Sequence, residues 1–232
     1  AEIENKPVIP YKTLSESAVD YAELLGRGYL VIAVNYRLAP TYKFPAQIED
    51  VKCAIRFLRA NAVGYHLDPK RIGAWGCSAG GQLAALAGVT DASAGFDARG
   101  DFQNESSRVQ AVAILAAPAD LTLYDVVARA EMLKRVFDVT TGSNPALVRA
   151  SPVTYVTPDD PPFFILQADK DSLINPRHGE KFAERLNAAG GSARLITVQN
   201  ATHCFPPNPA MSPSREQISK MIADFFDQQL WR

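Results

Sequence analysis

Short apolar runs alternate with longer stretches of helical spacing along most of the chain. Tyr29 to Tyr36 (YLVIAVNY) is β-branched and bounded by Gly28 and Pro40, a pattern that predicts a buried strand. Ile48, Val51, Ile55 and Leu58 recur at helical spacing between charged residues, predicting a helix over Pro45 to Asn61. Further strands are predicted at Arg71–Gly76, Val109–Ala116, Pro162–Gln167 and Arg194–Gln199. Helices are predicted at Ala79–Val89, Pro176–Ala189 and Pro213–Leu230. Strand and helix in alternation imply an α/β fold, a mostly parallel sheet with helices on both faces. Ligand sites in such sheets form beyond the carboxyl ends of the strands. Two segments interrupt the rhythm. Asp91–Arg108 is a polar, glycine-containing loop, and Leu121–Thr157 carries a predicted helix at Tyr124–Phe137 followed by Gly142 and several prolines. Either is an ordinary connection or a pocket wall.

With 232 residues and no linker, repeat or low-complexity tract, the pattern reads as one domain over residues 1–232. The 24 basic and 25 acidic residues nearly cancel, which removes any electrostatic reason to expect nucleic acid or an anionic membrane as partner. No apolar run approaches the roughly 20 residues of a membrane helix. Ala1 to Pro10 is polar and broken by proline, unlike a signal peptide, and the compartment stays open between cytoplasm and a secreted chain already processed. The three cysteines match no zinc spacing, and neither a metal nor a cofactor is implied. Cys53 reads as a small core residue. Cys77 and Cys204 read as small apolar filling beside the catalytic residues assigned below, with a disulfide or redox-sensitive thiol as the alternative.

The chemistry begins at Gly76-Cys77-Ser78-Ala79-Gly80. This G-x-S-x-G run follows a predicted strand and leads into a predicted helix, the setting of a nucleophile held on a strained turn. Small neighbours let the backbone pass closely there. The helix start aims N–H groups at developing negative charge, which makes the Ala79 N–H one oxyanion donor. Ser78 needs a base. Of the three histidines, His203 lies just after the last strand, in a loop beyond its carboxyl end. His66 and His178 read as ordinary surface or helix-face residues. An orienting acid belongs after the preceding strand, which ends with Asp169 and Asp171. Position favours Asp171, further into the loop, and makes Asp169 a turn or surface residue.

These stretches resemble the α/β-hydrolase superfamily, specifically the hormone-sensitive-lipase-like esterases and the related acetyl and feruloyl esterases. The resemblance rests on Asn35-Tyr36-Arg37-Leu38-Ala39-Pro40, Phe44-Pro45-Ala46 with Asp50, Gly76 to Gly81, Ser106 to Val112, Ala150 to Val156, the Asp171 strand and the His203 loop. It covers about residues 18 to 230 in order. It implies a triad of Ser78, Asp171 and His203, and a small-molecule ester as substrate, with a short acyl or hydroxycinnamoyl group. Phe96, Phe102, Tyr124, Phe137 and Phe205 are candidate walls for an aromatic acyl group, and equally candidates for core or surface filling.

One departure stands at the front. The resemblance implies a His-Gly-Gly-Gly-type segment upstream, whose N–H groups complete the oxyanion hole, and residues 1–17 contain no Gly-Gly. The first strands read as truncated or replaced, with at most one strand at Pro7–Thr13. Tyr29–Tyr36 then becomes an exposed sheet edge that a homodimer or strand exchange would cover. N–H groups from residues 5–17 folding over Ser78, or a sequence that is a fragment, are the other openings. Three functions follow: an esterase, a catalytically weakened or binding relative, and a prolyl-oligopeptidase-type peptidase. The last lacks here its usual large aromatic after the serine.

Overall fold

The computed structural model describes residues 21–125, 127–140 and 144–231. Four strands, β1 (Gly73–Cys77), β2 (Ala111–Leu115), β3 (Phe163–Ala168) and β4 (Ala193–Val198), pair in parallel in the order β1-β2-β3-β4. Each successive strand is added on the same side of its predecessor. β2 and β3 are near-continuous apolar runs because helices cover both of their faces, and the polar Gln167 of β3 is buried with its amide nitrogen bonded to Ile174 O. Alternate residues feed opposite layers. Val112, Ile114, Phe163 and Ile165 pack with α2 (Ala46–Ala60), α3 (Ala79–Val89) and α6 (Arg177–Ala188). Ala113, Leu115, Phe164 and Leu166 pack with α7 (Arg215–Leu230) and Leu24 of α1 (Tyr21–Gly26). The sheet thus carries helices on both faces, as its sequence pattern implies. None of the described helices is long and apolar enough to cross a membrane.

Local chemistry fixes the helix ends. Ser214 and Gln217 form a capping box at the start of α7, each side chain bonding the other's backbone N–H. The helix predicted from Tyr124 starts late, as α4 (Ala130–Phe137), because Asp125 Oδ1 accepts the N–H groups of Val127 and Ala128 and holds an Asx turn instead. The short α5 (Pro145–Arg149) follows, its start capped by Asn144. The polar Asp91–Arg108 segment is latched to α2 by two cations within it. Lys52 Nζ, fully buried, donates to Thr90 O, Asp97 and Ser107 at 2.9–3.0 Å. Arg56 donates to Asp97 at 2.8 Å and to the Arg99 carbonyl at 2.6 Å.

The strand predicted at Tyr29–Tyr36 is not formed. Among the described residues no backbone hydrogen bond links Leu30–Tyr36 to β1. Among the described residues a groove of about 720 Å³ lies between them, lined by Leu30, Ile32 and Val34 and by Gly73 and Trp75. A ladder needs a neighbour within about 5 Å, and β1 lies across the groove. The segment is instead pinned at its ends. Tyr29 Oη donates to Asp227 at 2.8 Å, and Arg37 is held by Asp50 through its N–H and its guanidinium. The Pro7–Thr13 strand and the oxyanion donors sought in residues 5–17 lie outside the described residues.

Candidate active site

Ser78 follows the last residue of β1 and precedes α3, with φ 54° and ψ −123°. A non-glycine residue in that region costs of order 1–3 kcal/mol and needs rigid surroundings. They are present. Ser78 N–H donates to Leu115 O of β2 at 2.9 Å, and Ser78 O accepts the Gln82 N–H, starting the helix. Two glycines here, Gly76 and Gly81, are required by space, while a Cβ at Gly80 would meet nothing within 4 Å. A Cβ at Gly76 would stand 2.4 Å from the Gly80 carbonyl carbon, and one at Gly81 would stand 2.8 Å from Ala117 Cβ. Gly76 and Gly81 are therefore what allow β1, the turn and α3 to touch.

The acid loop leaves β3 directly. Asp171 Oδ1 accepts the N–H groups of Leu173 and Ile174 at 2.8 and 2.9 Å. Gln167 Nε2 holds the far end of the loop by donating to Ile174 O. Asp171 Oδ2 remains for His203, whose Nδ1 lies at 2.9 Å. Burial favours the neutral acid, but the bonds from His203, Ile174 and Leu173 outweigh it and hold this carboxyl below its ordinary range. Asp169 does something else: its Oδ1 accepts the Ala201 N–H and braces the start of the His203 loop.

His203 Nε2 lies 2.8 Å from Ser78 Oγ. With Asp171 on Nδ1, the ring bridges acid and hydroxyl, and the neutral tautomer with its proton on Nδ1 leaves Nε2 free to accept from Ser78. The structure brings Ser78, Asp171 and His203 together. Ala79 opens α3 beside Ser78 and is exposed, its N–H in the first turn, where the helix itself supplies no acceptor. No cluster of three or more His, Cys, Asp or Glu able to hold a metal exists among the described residues.

Several expectations change. Cys77 and Cys204 are joined in a disulfide, with Cα atoms 5.9 Å apart, so the filler reading is overturned. Adjacency to Ser78 and His203 was the one hint, since 127 residues separate the pair. His178 is not a surface residue: it is 1 % exposed, its Nδ1 accepts the Asp120 N–H, and its ring meets Tyr124 edge-on. Of the candidate aromatic walls, Phe96 and Phe205 are fully buried core residues. Phe102 packs on Phe57 and Phe137 on Phe44. Tyr124 is different. Burial raises its phenol to about 12, with Arg129 opposing and the Asp171 charge adding, which sets it near the acid. Arg129 crosses the Tyr124 ring and donates to the Leu173 carbonyl, so the segment after β2 does abut the acid loop.

A parallel sheet with a serine on the tight turn after one strand, an acid after another and a histidine after the last defines an α/β-hydrolase. A family model described as BD-FAE matches residues 12–186, and the chain belongs to that family, among the hormone-sensitive-lipase-like α/β-hydrolases. Esterase LipQ of Mycobacterium tuberculosis is 31 % identical over 208 residues, which cover 85 % of this chain and 47 % of LipQ. Esterase LipC of the same organism is 34 % identical over 190 residues, 79 % of this chain and 47 % of LipC. A solved structure, a truncated form of a carbohydrate esterase from gut microbiota, is similar with a TM-score of 0.81 at 29 % identity, over 91 % of this chain and 78 % of that one. The chain spans about half the length of the curated relatives it matches.

Proposed function

We propose that this chain hydrolyses carboxylic esters through an acyl-enzyme on Ser78. The observation that carries the reading is the His203 bridge, 2.8 Å to Ser78 Oγ and 2.9 Å to Asp171 Oδ2. His203 Nε2 takes the hydroxyl proton as Ser78 Oγ attacks the ester carbonyl. The Ala79 N–H and the start of α3 face the oxyanion that forms. The carbonyl re-forms, the C–O bond to the leaving alcohol breaks, and His203 returns its proton to that oxygen. Water, deprotonated by His203, then attacks the acyl carbon and frees Ser78 and the acid. Asp171 stays ionised throughout and stabilises the imidazolium.

For substrate, the reading favours short acyl groups, acetyl foremost, on alcohols that include carbohydrates. Named relatives are esterases, and the carbohydrate esterase neighbour supports the alcohol class. A hydroxycinnamoyl group has less support, because Phe96 and Phe205 lie in the core rather than facing an acyl group. Nitrophenyl acetate turnover by the wild type and Ser78→Ala tests the reading. Removal of such a nucleophile lowers kcat by about a million-fold. Equal turnover by the two proteins would sink the assignment. A nitrophenyl acetate rate well above that of a hydroxycinnamoyl ester is the expected preference.

A further inference from the structure

The nucleophile is bonded to the sheet and the acid to its own loop, whereas the turn that follows the base has few ties of its own. Ser78 is bonded to β2, and Asp171 is fixed by two backbone N–H groups one turn beyond β3. His203 sits in a loop closed at its base by the Gln199–Ser212 bridge. Between His203 and Pro207 the backbone makes, among the described residues, one hydrogen bond, Phe205 N–H to Thr202 O, and that is internal to the loop. The two residues after His203 both have left-handed backbone, Cys204 with φ 57° and Phe205 with φ 55°. Such residues persist only where their surroundings over-determine them. Pro206 to Ala210 is exposed. The start of the loop is tied to the end of β3, where the Ala201 N–H donates to Asp169 and the Ala201 carbonyl accepts the Lys170 N–H. Past His203, the turn over Cys204 to Pro207 is held by the buried Phe205 ring and the Cys204 sulfur on Cys77.

Cys77 is the residue before Ser78, and Cys204 is the residue after His203. The bond therefore joins the nucleophile's own strand end to the base's own turn, by the shortest covalent route between them. We propose that the Cys77–Cys204 disulfide is a positioning device: it keeps His203 Nε2 in reach of Ser78 Oγ, so that ester hydrolysis belongs to the oxidised chain. The proposal rests on the Ser78 acyl-enzyme reading. Reduction by a dithiol breaks the S–S bond, two electrons and two protons pass to the two sulfurs, and the dithiol closes to its own disulfide. With the sulfur tie cut, the turn after His203 is left on Phe205, the imidazole drifts from the hydroxyl while still bonded to Asp171, and a misplacement of about 1 Å costs about 100-fold in rate.

The experiment compares the wild type, Cys77→Ala, Cys204→Ala and the double variant. It reads kcat and KM for nitrophenyl acetate, labelling of Ser78 by a fluorophosphonate, and the downfield proton resonance of the His203–Asp171 bond. Thiol titration of the unfolded wild type is expected to find one reactive thiol, that of Cys53, and three after reduction. Each single variant and the double variant are expected to lose about 10- to 100-fold in kcat by the same amount, with KM unchanged, because each breaks one bond. The histidine resonance broadens in step. Dithiothreitol reproduces the loss in the wild type, reoxidation reverses it, and the double variant ignores both, so poor folding of a variant cannot imitate the result. Additive losses in the single variants overturn the proposal, as do three reactive thiols in an unreduced, active wild type. So does a double variant with full kcat and only a lowered Tm, which marks a plain structural brace. A wild type that neither turns over nor labels at Ser78 overturns the esterase reading instead, and the histidine resonance in oxidised and reduced protein still decides the clamp.

Discussion

The two sides of β1 are built differently. On one side β2 pairs with it from Gly73 to Cys77, and β3 and β4 follow in register. Every residue of β2 and β3 is buried, and the three residues proposed for catalysis leave this side, one each from β1, β3 and the turn after β4. On the other side lies the groove, and beyond it Leu30 and Ile32, 52 % and 40 % exposed. Both sides are made from equally apolar sequence. The contrast shows that hydrophobicity supplies the material of a strand but neighbouring backbone makes it one. The three residues proposed for catalysis all stand on the paired side, and none comes from the segment across the groove.

The largest expected difference is in stability per buried side chain. Ile114, in β2, is 1 % exposed and sits between two layers. Ile114→Ala is expected to cost about 3–4 kcal/mol, the transfer free energy plus a cavity the close-packed sheet cannot collapse. A urea titration would show it as a lower midpoint at unchanged slope. A cost under 1 kcal/mol would mean that the paired side is as loosely packed as the open one.

The next effect belongs to His178, also on the paired side, where α6 covers β3. Burial, reinforced by Lys181 and Arg129 and opposed by Asp120 and Asp171, lowers its imidazole from 6.5 to about 4. In the unfolded chain it takes a proton near 6.5, in the folded one only near 4, so the unfolded state binds the proton first as pH falls. Stability from this group is therefore full above pH 6.5 and declines between 6.5 and about 4, by about 2 kcal/mol from pH 7 to pH 5. His178→Gln removes that slope. Unfolding free energies measured at both pH values check it, and an identical pH dependence in the variant contradicts the assignment.

How far the sequence carried the structure follows from the same contrast. β2 and β3 were legible because parallel strands covered on both faces read as near-continuous apolar runs, β1 and β4 as shorter apolar stretches beside predicted helices, and α2 carries its 3.6-residue period in plain view. Tyr29–Tyr36 gave the same signature, yet periodicity reports burial, whereas pairing depends on what stands alongside. His178, read as a surface or helix-face residue, is the latter, and Phe182 and Leu186, four and eight residues on, share its buried helix face. At the site, Ser78, Asp171 and His203 stood out by motif and chain order. The N–H groups that fix Asp171 and the sulfur bridge behind His203 did not, because a loop's backbone geometry and a cysteine pairing across 127 residues leave no local pattern.

The smallest expected effect is the sharpest test of the open side. Ile32→Ser removes an apolar side chain that the folded chain leaves 40 % exposed, at a position where, among the described residues, the backbone bonds to no strand. If the groove stays open in solution, the cost is expected within about 0.5 kcal/mol, as for surface substitutions. The amides of Leu30 to Tyr36 would then exchange with solvent far faster than those of β2, because they open without breaking a ladder. A cost of 2 kcal/mol or more, with slow exchange at Ile32 to Val34, would mean that something fills the groove and pairs with both walls. The two sides of β1 would then be alike, and the search for further oxyanion donors would move to whatever occupies that slot.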